Sequence, residues 1–279
     1  MDEDSARGTW RREPSTVVVA DTGAPTRIEE PFAIAAGSVL LEAPHEFAPH
    51  RHELHELVWV RGGTMTVRLE HRILTVPDGF GVWIPAGTEH AGRTTARTAL
   101  CDALFDPERS PVPIAVPALV EVTPVLAALL TRLSRTDLEE AARLRAEAVV
   151  FDVIAPSSEQ YSVTVPQGER LAPLVAALLD DPTDRRTLAD WAEHLGVGER
   201  TLSRVLRAQT GLSFLQWRQA LRAHRAVALL AEGRSVQDVS ELMGHTHPST
   251  FIAAFKRVMG TTPGAFAQDQ RGAAGASAS

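Results

Sequence analysis

TLADWAEHLGVGERTLSRVLRAQTG, residues 187–211, and SVQDVSELMGHTHPSTFIAAFKRVMG, residues 235–260, set the architecture of the last third of this 279-residue chain. Each stretch spells a short helix, a tight turn and a second helix. In the first, Leu188, Ala192 and Leu195 form one apolar face, Gly196 and Gly198 punctuate, and Leu202, Val205 and Leu206 resume the helical period. In the second, Ser235 caps a helix expected to turn Val236, Val239 and Leu242 inward, and Gly244 breaks it. Pro248 then opens a new helix at its favoured first position, with Phe251, Phe255 and Val258 as the buried stripe. Both are helix-turn-helix patterns.

Between them, SFLQWRQALRAHRAVALLAEG (213–233) reads as one long helix with Phe214, Trp217, Leu221, Ala228 and Leu229 on the core side and Gly233 at its end. A helix of about 18 residues is roughly 27 Å long. Such a rod holds two recognition helices about one duplex turn apart, roughly 34 Å, so that both enter the major groove from one side. Through LSRVLRAQTG, FLQWRQALR, ALLAEGRSV, STFIAAFKRVMG and TPGAF, the region from about 174 to 266 resembles the DNA-binding domain of the AraC/XylS family of bacterial transcription regulators.

Charge divides along the same line. The chain as a whole is acidic, with a formal net charge of −7, but from Arg170 onward 13 Lys/Arg stand against 10 Asp/Glu, leaving 15 against 25 before it. Phosphate repels the acidic part and attracts the basic one, so double-stranded DNA is expected to meet only the C-terminal region. The faces of the two recognition helices then name the residues. Around 199–208, Arg200, Ser203, Arg204 and Arg207 lie opposite the apolar stripe. The family resemblance implies base-edge contacts at Arg200, Ser203 and Arg204, where an arginine grips guanine bidentately. In the second unit the matching positions are Ser249 and Ala253, flanked by Thr250, Lys256 and Arg257. Small side chains read little, so that helix is expected to position the protein through phosphates. His245 stands where the family has an aromatic residue. Either His245 and His247 gain charge beside phosphate as pH falls, or His245 packs as a ring and His247 caps the helix at Pro248.

The N-terminal part reads as β-structure. TMTVRL (64–69) alternates after the Gly62-Gly63 turn, ILTV (73–76) runs into the Pro77-Asp78-Gly79 turn, and GVWIP (81–85) is a further short strand. Short strands at this spacing indicate a sandwich or small barrel. Inside this region, PHRHELHE carries His50, His52, His55 and Glu56, and PAGTEH ends at His90. If residues 50–56 are extended, His50, His52 and Glu56 share one face and His55 points away. His90 from a later strand then completes three imidazoles and one carboxylate, a set suited to one divalent transition metal such as iron, manganese, nickel or zinc.

This arrangement resembles the cupin superfamily over roughly residues 30–105. The first motif matches at His50, His52, Glu56 and Gly63 without its leading Gly, and the second at Gly79, Pro85, Gly87 and His90 with Thr94 in place of an Asn. The resemblance implies either a metal centre or, as in AraC-like regulators, a metal-free effector pocket. His71 is expected at a surface turn.

Helical spacing resumes at Leu126, Leu129, Leu130 and Leu133, then Leu138, Ala141, Arg145, Ala148 and Val149, with Pro124 opening the first helix and Asp137 capping the second. These helices either cover an open barrel face or, as the family resemblance implies, join a homodimer.

The expected architecture is therefore multidomain α and β: a disordered N-terminus (1–25), a cupin-like sensor β-barrel (26–115), a helical segment (116–155), a linker (156–170), an all-α tandem helix-turn-helix domain (171–268) and a disordered tail (269–279). The apolar content of 44% suffices for two cores. A lone Cys101 excludes an intrachain disulfide and fits a reducing cytoplasm as a small core residue. No secretory h-region or 18-residue apolar run is present, so the chain is expected to be cytoplasmic and to engage no membrane. A sequence-specific transcription regulator that senses a metal ion or small molecule is the function expected. The competing reading is a metal-dependent cupin enzyme, an oxygenase or isomerase, with a helical interaction domain; the tandem helix-turn-helix and the lack of any catalytic constellation beyond the His/Glu cluster argue against it.

Overall fold

The computed structural model describes residues 15–20, 22–23, 25–158 and 161–268. The chain divides into two compact units: Ser15–Leu69 with Leu74–Tyr161, and a helical unit built from residue 162 onward together with Glu70–Ile73. Each is considered by itself.

The first unit contains β1 (Val17–Val19), β2 (Ile34–Leu41), β3 (His45–His50), β4 (His55–Arg61), β5 (Thr64–Leu69), β6 (Arg72–Pro77), β7 (Phe80–Ile84), β8 (His90–Thr94), β9 (Thr98–Phe105), β10 (Ala118–Glu121), α1 (Pro124–Leu133) and α2 (Glu140–Val153). One sheet carries β1-β3-β8-β5-β6 in that order, the other β10-β7-β4-β9-β2. Period-two alternation sorts their side chains. Val58, Val60, Met65, Val67, Leu74, Val82 and Ile84 fill the interior between the sheets. Leu57, Trp59, Trp83, Ala103 and Phe105 face the other way, onto Leu126, Leu130, Leu133, Ala146 and Val150 of α1 and α2. A sheet buried on both faces needs continuous apolar runs, which is why GVWIP and HELVWV lack clean alternation.

Thus α1 and α2 do cover a barrel face. Thr123 caps α1 through the Leu126 N–H at 3.3 Å, with Pro124 in the first turn. Helix α2 begins at Glu140 after Glu139, so Asp137 is not its cap; Asp137 instead pairs with Arg135 at 2.7 Å. Strand β1 lies within the N-terminal stretch expected to be disordered: Val17 pairs with His45 in parallel register. The first fourteen residues and the tail from 269 lie outside the described residues.

The second unit contains β11 (Ser162–Thr164), α3 (Ala172–Asp180), α4 (Leu188–His194), α5 (Glu199–Thr210), α6 (Phe214–Ala231), α7 (Val236–Leu242) and α8 (Pro248–Met259). Its helices start where side chains satisfy the orphan N–H groups: Thr187 with Asp190 and Ser213 with Gln216 make reciprocal capping boxes, and Ser235 accepts the Asp238 N–H. Gly211 (φ 73°) and Gly260 (φ 77°) end α5 and α8 in the left-handed region, where a Cβ would be strained. Helix α6 is the central rod, packing on α3, α5, α7 and α8. Trp191, Leu202, Leu206, Trp217 and Leu221 share one core with Leu174 and Leu178. Two expectations change. Val163 and Val165, placed in the linker by their polar surroundings, belong to this core, and the Trp217 indole donates to the Thr164 carbonyl at 2.8 Å. Leu242 is 48% exposed, and Met243 is the buried residue at that end of α7.

Candidate metal centre and nucleic-acid interface

His50 is the last residue of β3 and pairs with His90, the first of β8. The chain then leaves the sheet at 51–54 and re-enters at His55, so residues 50–56 are not one extended run. The parity argument therefore fails as geometry, yet the loop returns His52 to the same place. His52 Nε2 lies 3.1 Å and His90 Nε2 3.4 Å from Glu56 Oε2. One ligand atom from each of His52, Glu56 and His90 falls within 4.8 Å of the others. His50 stands beside this trio, its ring centroid 4.2 Å from that of His90 and 6.2 Å from that of His52.

All three imidazoles are oriented in one way. Nδ1 of His50, His52 and His90 bonds the backbone carbonyls of Ala48 (2.7 Å), Leu54 (2.6 Å) and Thr88 (2.9 Å). A carbonyl only accepts, so each Nδ1 carries the hydrogen, and each neutral ring presents the lone pair of Nε2. Burial pushes the Glu56 carboxyl upward, but the hydrogen bonds that His52 and His90 donate whenever Nε2 also carries a proton outweigh it and hold it at about 2. For His52, burial opposes charge while the Glu56 hydrogen bond wins and raises its pKa; for His50, burial prevails and lowers it. The pocket thus couples a firmly ionised carboxylate to imidazoles directed at it, which suits a cation.

His55 points to the opposite face, as alternation requires: its Nδ1 accepts the Ala86 N–H at 2.9 Å and its ring lies 5.3 Å from that of Trp83. His71 is on the surface and Cys101 is buried. Sequence reasoning passed over Asp102. In TALCDALF the alternation puts Leu100, Asp102 and Leu104 on the interior face, a signal that was present but masked by the apolar residues around it.

On α5, Arg200, Arg204 and Arg207 are exposed and Ser203 is half-buried, opposite the buried Leu202 and Leu206. On α8, Ser249, Thr250, Ala253, Lys256 and Arg257 are all exposed, with Phe251, Ala254, Phe255 and Met259 beneath them. The named side chains of α5 and α8 thus lie on the faces away from the core, Ser203 only in part. Lys256 is the one lysine in the chain. The His245 ring packs 5.7 Å from that of Phe251, and burial, then Arg222, lowers its pKa. That is the packing role. His247 precedes α8 but makes no side-chain capping bond.

A two-sheet β domain with an inward-facing His/Glu cluster, carried on the same chain as two helix-turn-helix units, defines a DNA-binding regulator with a ligand-binding domain. Residues 36–150 match the AraC-like ligand binding domain and residues 191–269 a helix-turn-helix domain. The HTH-type transcriptional regulator NimR of Escherichia coli K12 is 31% identical over 239 residues, spanning 84% of this chain and 86% of that protein. RipA of Corynebacterium glutamicum, another HTH-type regulator, is 36% identical over 108 residues, 39% of this chain and 33% of its own. Among solved structures, the AdpA DNA-binding domain in complex with a target DNA is 29% identical, covering 37% of this chain and 94% of that one with a TM-score of 0.35. Apo ToxT K231A from Vibrio cholerae is 13% identical, covering 86% and 98%, also with a TM-score of 0.35. The chain belongs to the AraC family of transcription regulators. Among the described residues, no helix is long and apolar enough to cross a membrane.

Proposed function

We propose that the protein is a metal-responsive regulator in which His52, Glu56 and His90 hold one divalent transition metal, iron, manganese, nickel or zinc, with His50 at the rim as a further ligand. The observation that carries this reading is the common anchoring of three Nδ1 atoms on backbone carbonyls. That is how ligating imidazoles are held by their surroundings. At His52 and His90 it leaves Nε2 lone pairs facing the Glu56 carboxylate, a repulsive arrangement unless each gains a proton or all share one cation. A metal serves the three at once.

Metal occupancy is coupled to DNA binding through α1 and α2, which pack on the sheet that carries Glu56. Val125 of α1 and Val149 and Val153 of α2 leave an exposed apolar face; a second copy of the chain covers it, making a homodimer whose spacing on paired promoter sites the metal controls. Coupling of this kind amounts to about 1–3 kcal/mol. Arg200, Ser203 and Arg204 read base edges, while Arg207, Ser249, Thr250, Ala253, Lys256 and Arg257 seat the protein on the backbone, and the protein works in the cytoplasm. An organic effector in the same barrel is the second reading, favoured by the match to the AraC-like ligand binding domain.

Elemental analysis of purified wild-type protein and of the His52→Ala, His90→Ala double variant tests the proposal. One equivalent of metal is expected in the former and none in the latter, with DNA affinity changed in parallel. A double variant that keeps its metal refutes the site; one that loses it but regulates as before leaves the organic effector as the reading.

A further inference from the structure

Asp102 of β9 projects into the interior between the sheets, between Leu100, which packs on the interior cluster, and Leu104, which is paired with Glu56. Its partner on β4 is Val58, an interior residue. Its partner on the edge strand β2 is Gly37, where a Cβ would come 3.3 Å from Asp102 Oδ1. The missing side chain at 37 keeps the carboxylate open toward that edge. On the opposite wall, Phe47 lies over Gly92, where a Cβ would stand 3.5 Å from the ring.

Asp102 accepts from its own backbone N–H, and among the described residues no lysine, arginine or histidine is hydrogen-bonded or ion-paired with it. Burial, then the charge of Glu56, pushes its carboxyl upward. A half-buried carboxylate on an apolar face with no basic partner among the described residues is costly, and such groups are kept where a partner arrives.

We propose that Asp102 is a specificity-determining residue of the ligand-binding domain, taking the protonated nitrogen of an organic amine or amidine that lodges beside Gly37 on the interior face of β9. The apolar side chains of Val58 and Leu100 receive the hydrocarbon part and the carboxylate receives the N–H donors, as a charge-assisted hydrogen bond. A carboxylate ligand of the same shape is excluded by repulsion from both Asp102 and Glu56. This assignment rests on the family's ligand-binding domain and is independent of the metal proposed above.

The test uses the full-length protein stripped with EDTA and titrated calorimetrically at pH 7 with benzylamine, phenethylamine, cyclohexylamine and benzamidine, and with benzoate and benzyl alcohol as isosteres. At least one of the four cations is expected to bind at least tenfold more tightly than either isostere, and Asp102→Asn to remove at least tenfold of that affinity. Gly37→Val, which closes the open side without removing the charge, is expected to weaken the same ligand. Equal binding of benzoate, undiminished affinity in Asp102→Asn with its melting temperature retained, or no binding by any of the four cations at 10 mM overturns the assignment. Repeating the titration with zinc-loaded protein separates the two proposals: amine binding without metal uptake leaves Asp102 standing and removes the metal, and the reverse outcome does the opposite.

Discussion

Glu147 of α2 binds the backbone of Ala33: its carboxylate accepts the Ala33 N–H at 2.9 Å and the Ile34 N–H at 3.2 Å. Glu147 is only 2% exposed, and Arg143, one turn earlier, donates to the Ile34 carbonyl at 2.7 Å and lies over the Phe32 ring at 4.1 Å. Helix and strand are thereby locked together by charge-assisted bonds in a buried setting. Glu147→Ala strands two amide hydrogens and an arginine, so a loss of about 3–5 kcal/mol is expected. Urea denaturation followed by tryptophan fluorescence measures it; a loss below about 1 kcal/mol would mean that water replaces the carboxylate.

His224, buried on α6 and bonded to the Ser162 backbone, has its pKa lowered by burial to about 4 from an ordinary 6.5. The unfolded chain takes up a proton below pH 6.5 that the folded one refuses until about pH 4. Stability from this group is therefore complete above 6.5 and falls as the pH drops through that window, by about 3 kcal/mol at its lower end. His224→Leu should flatten the acid limb of the stability profile of the helical unit between pH 6.5 and 4. An unchanged slope would show that another group sets it.

Gly63 matches the closing glycine of the first cupin motif, and its surroundings give the reason. A Cβ there would run into the Thr98 hydroxyl and stand 2.6 Å from Thr95 Oγ1, while those two hydroxyls bond each other at 3.0 Å and Thr95 Oγ1 accepts the Thr64 N–H at 3.0 Å. Gly63→Ala is expected to cost roughly 1–3 kcal/mol as an overpacked site. Adding Thr98→Ala should recover part of it in a melting experiment, and failure to do so would point to the backbone instead.

Arg204→Ala should cost about 1–3 kcal/mol in DNA affinity and relax preference at one base pair, whereas Lys256→Ala should weaken binding evenly across sequences and lower the salt slope by about one. Selection of binding sites from random duplexes with each variant distinguishes the two. Unchanged affinity and preference in Arg204→Ala would remove it from the interface.

The helical unit was the more legible half because its signals are local. Thr187, Ser213 and Ser235 announce helix starts within four residues of the bonds they make, and Gly211 and Gly260 mark the ends. The misreadings arose where distant packing overrules such cues. Leu242 looks inward by period, yet Met243 takes the core position. Asp137 looks like a cap, yet Arg135 claims it and the helix starts later. Val163 and Val165 sit in polar sequence and are buried by partners far along the chain. In the barrel, His52 and Glu56 were named correctly as neighbours for a wrong reason: a loop, not strand alternation, brings them to 3.1 Å. The anchoring of Nδ1 depends on carbonyls, which carry no residue identity and leave no mark in sequence.

Ile34 pairs with Phe105, closing a strand contact over a gap of 71 residues, while α4 joins α5 and α7 joins α8 through turns of a few residues. Loop closure is slow where partners are distant and fast where they are adjacent. On dilution from denaturant, the α4–α5 and α7–α8 pairs are therefore expected to form ahead of the barrel. For that interval the refolding chain would carry its helix-turn-helix pairs without a formed ligand-binding domain.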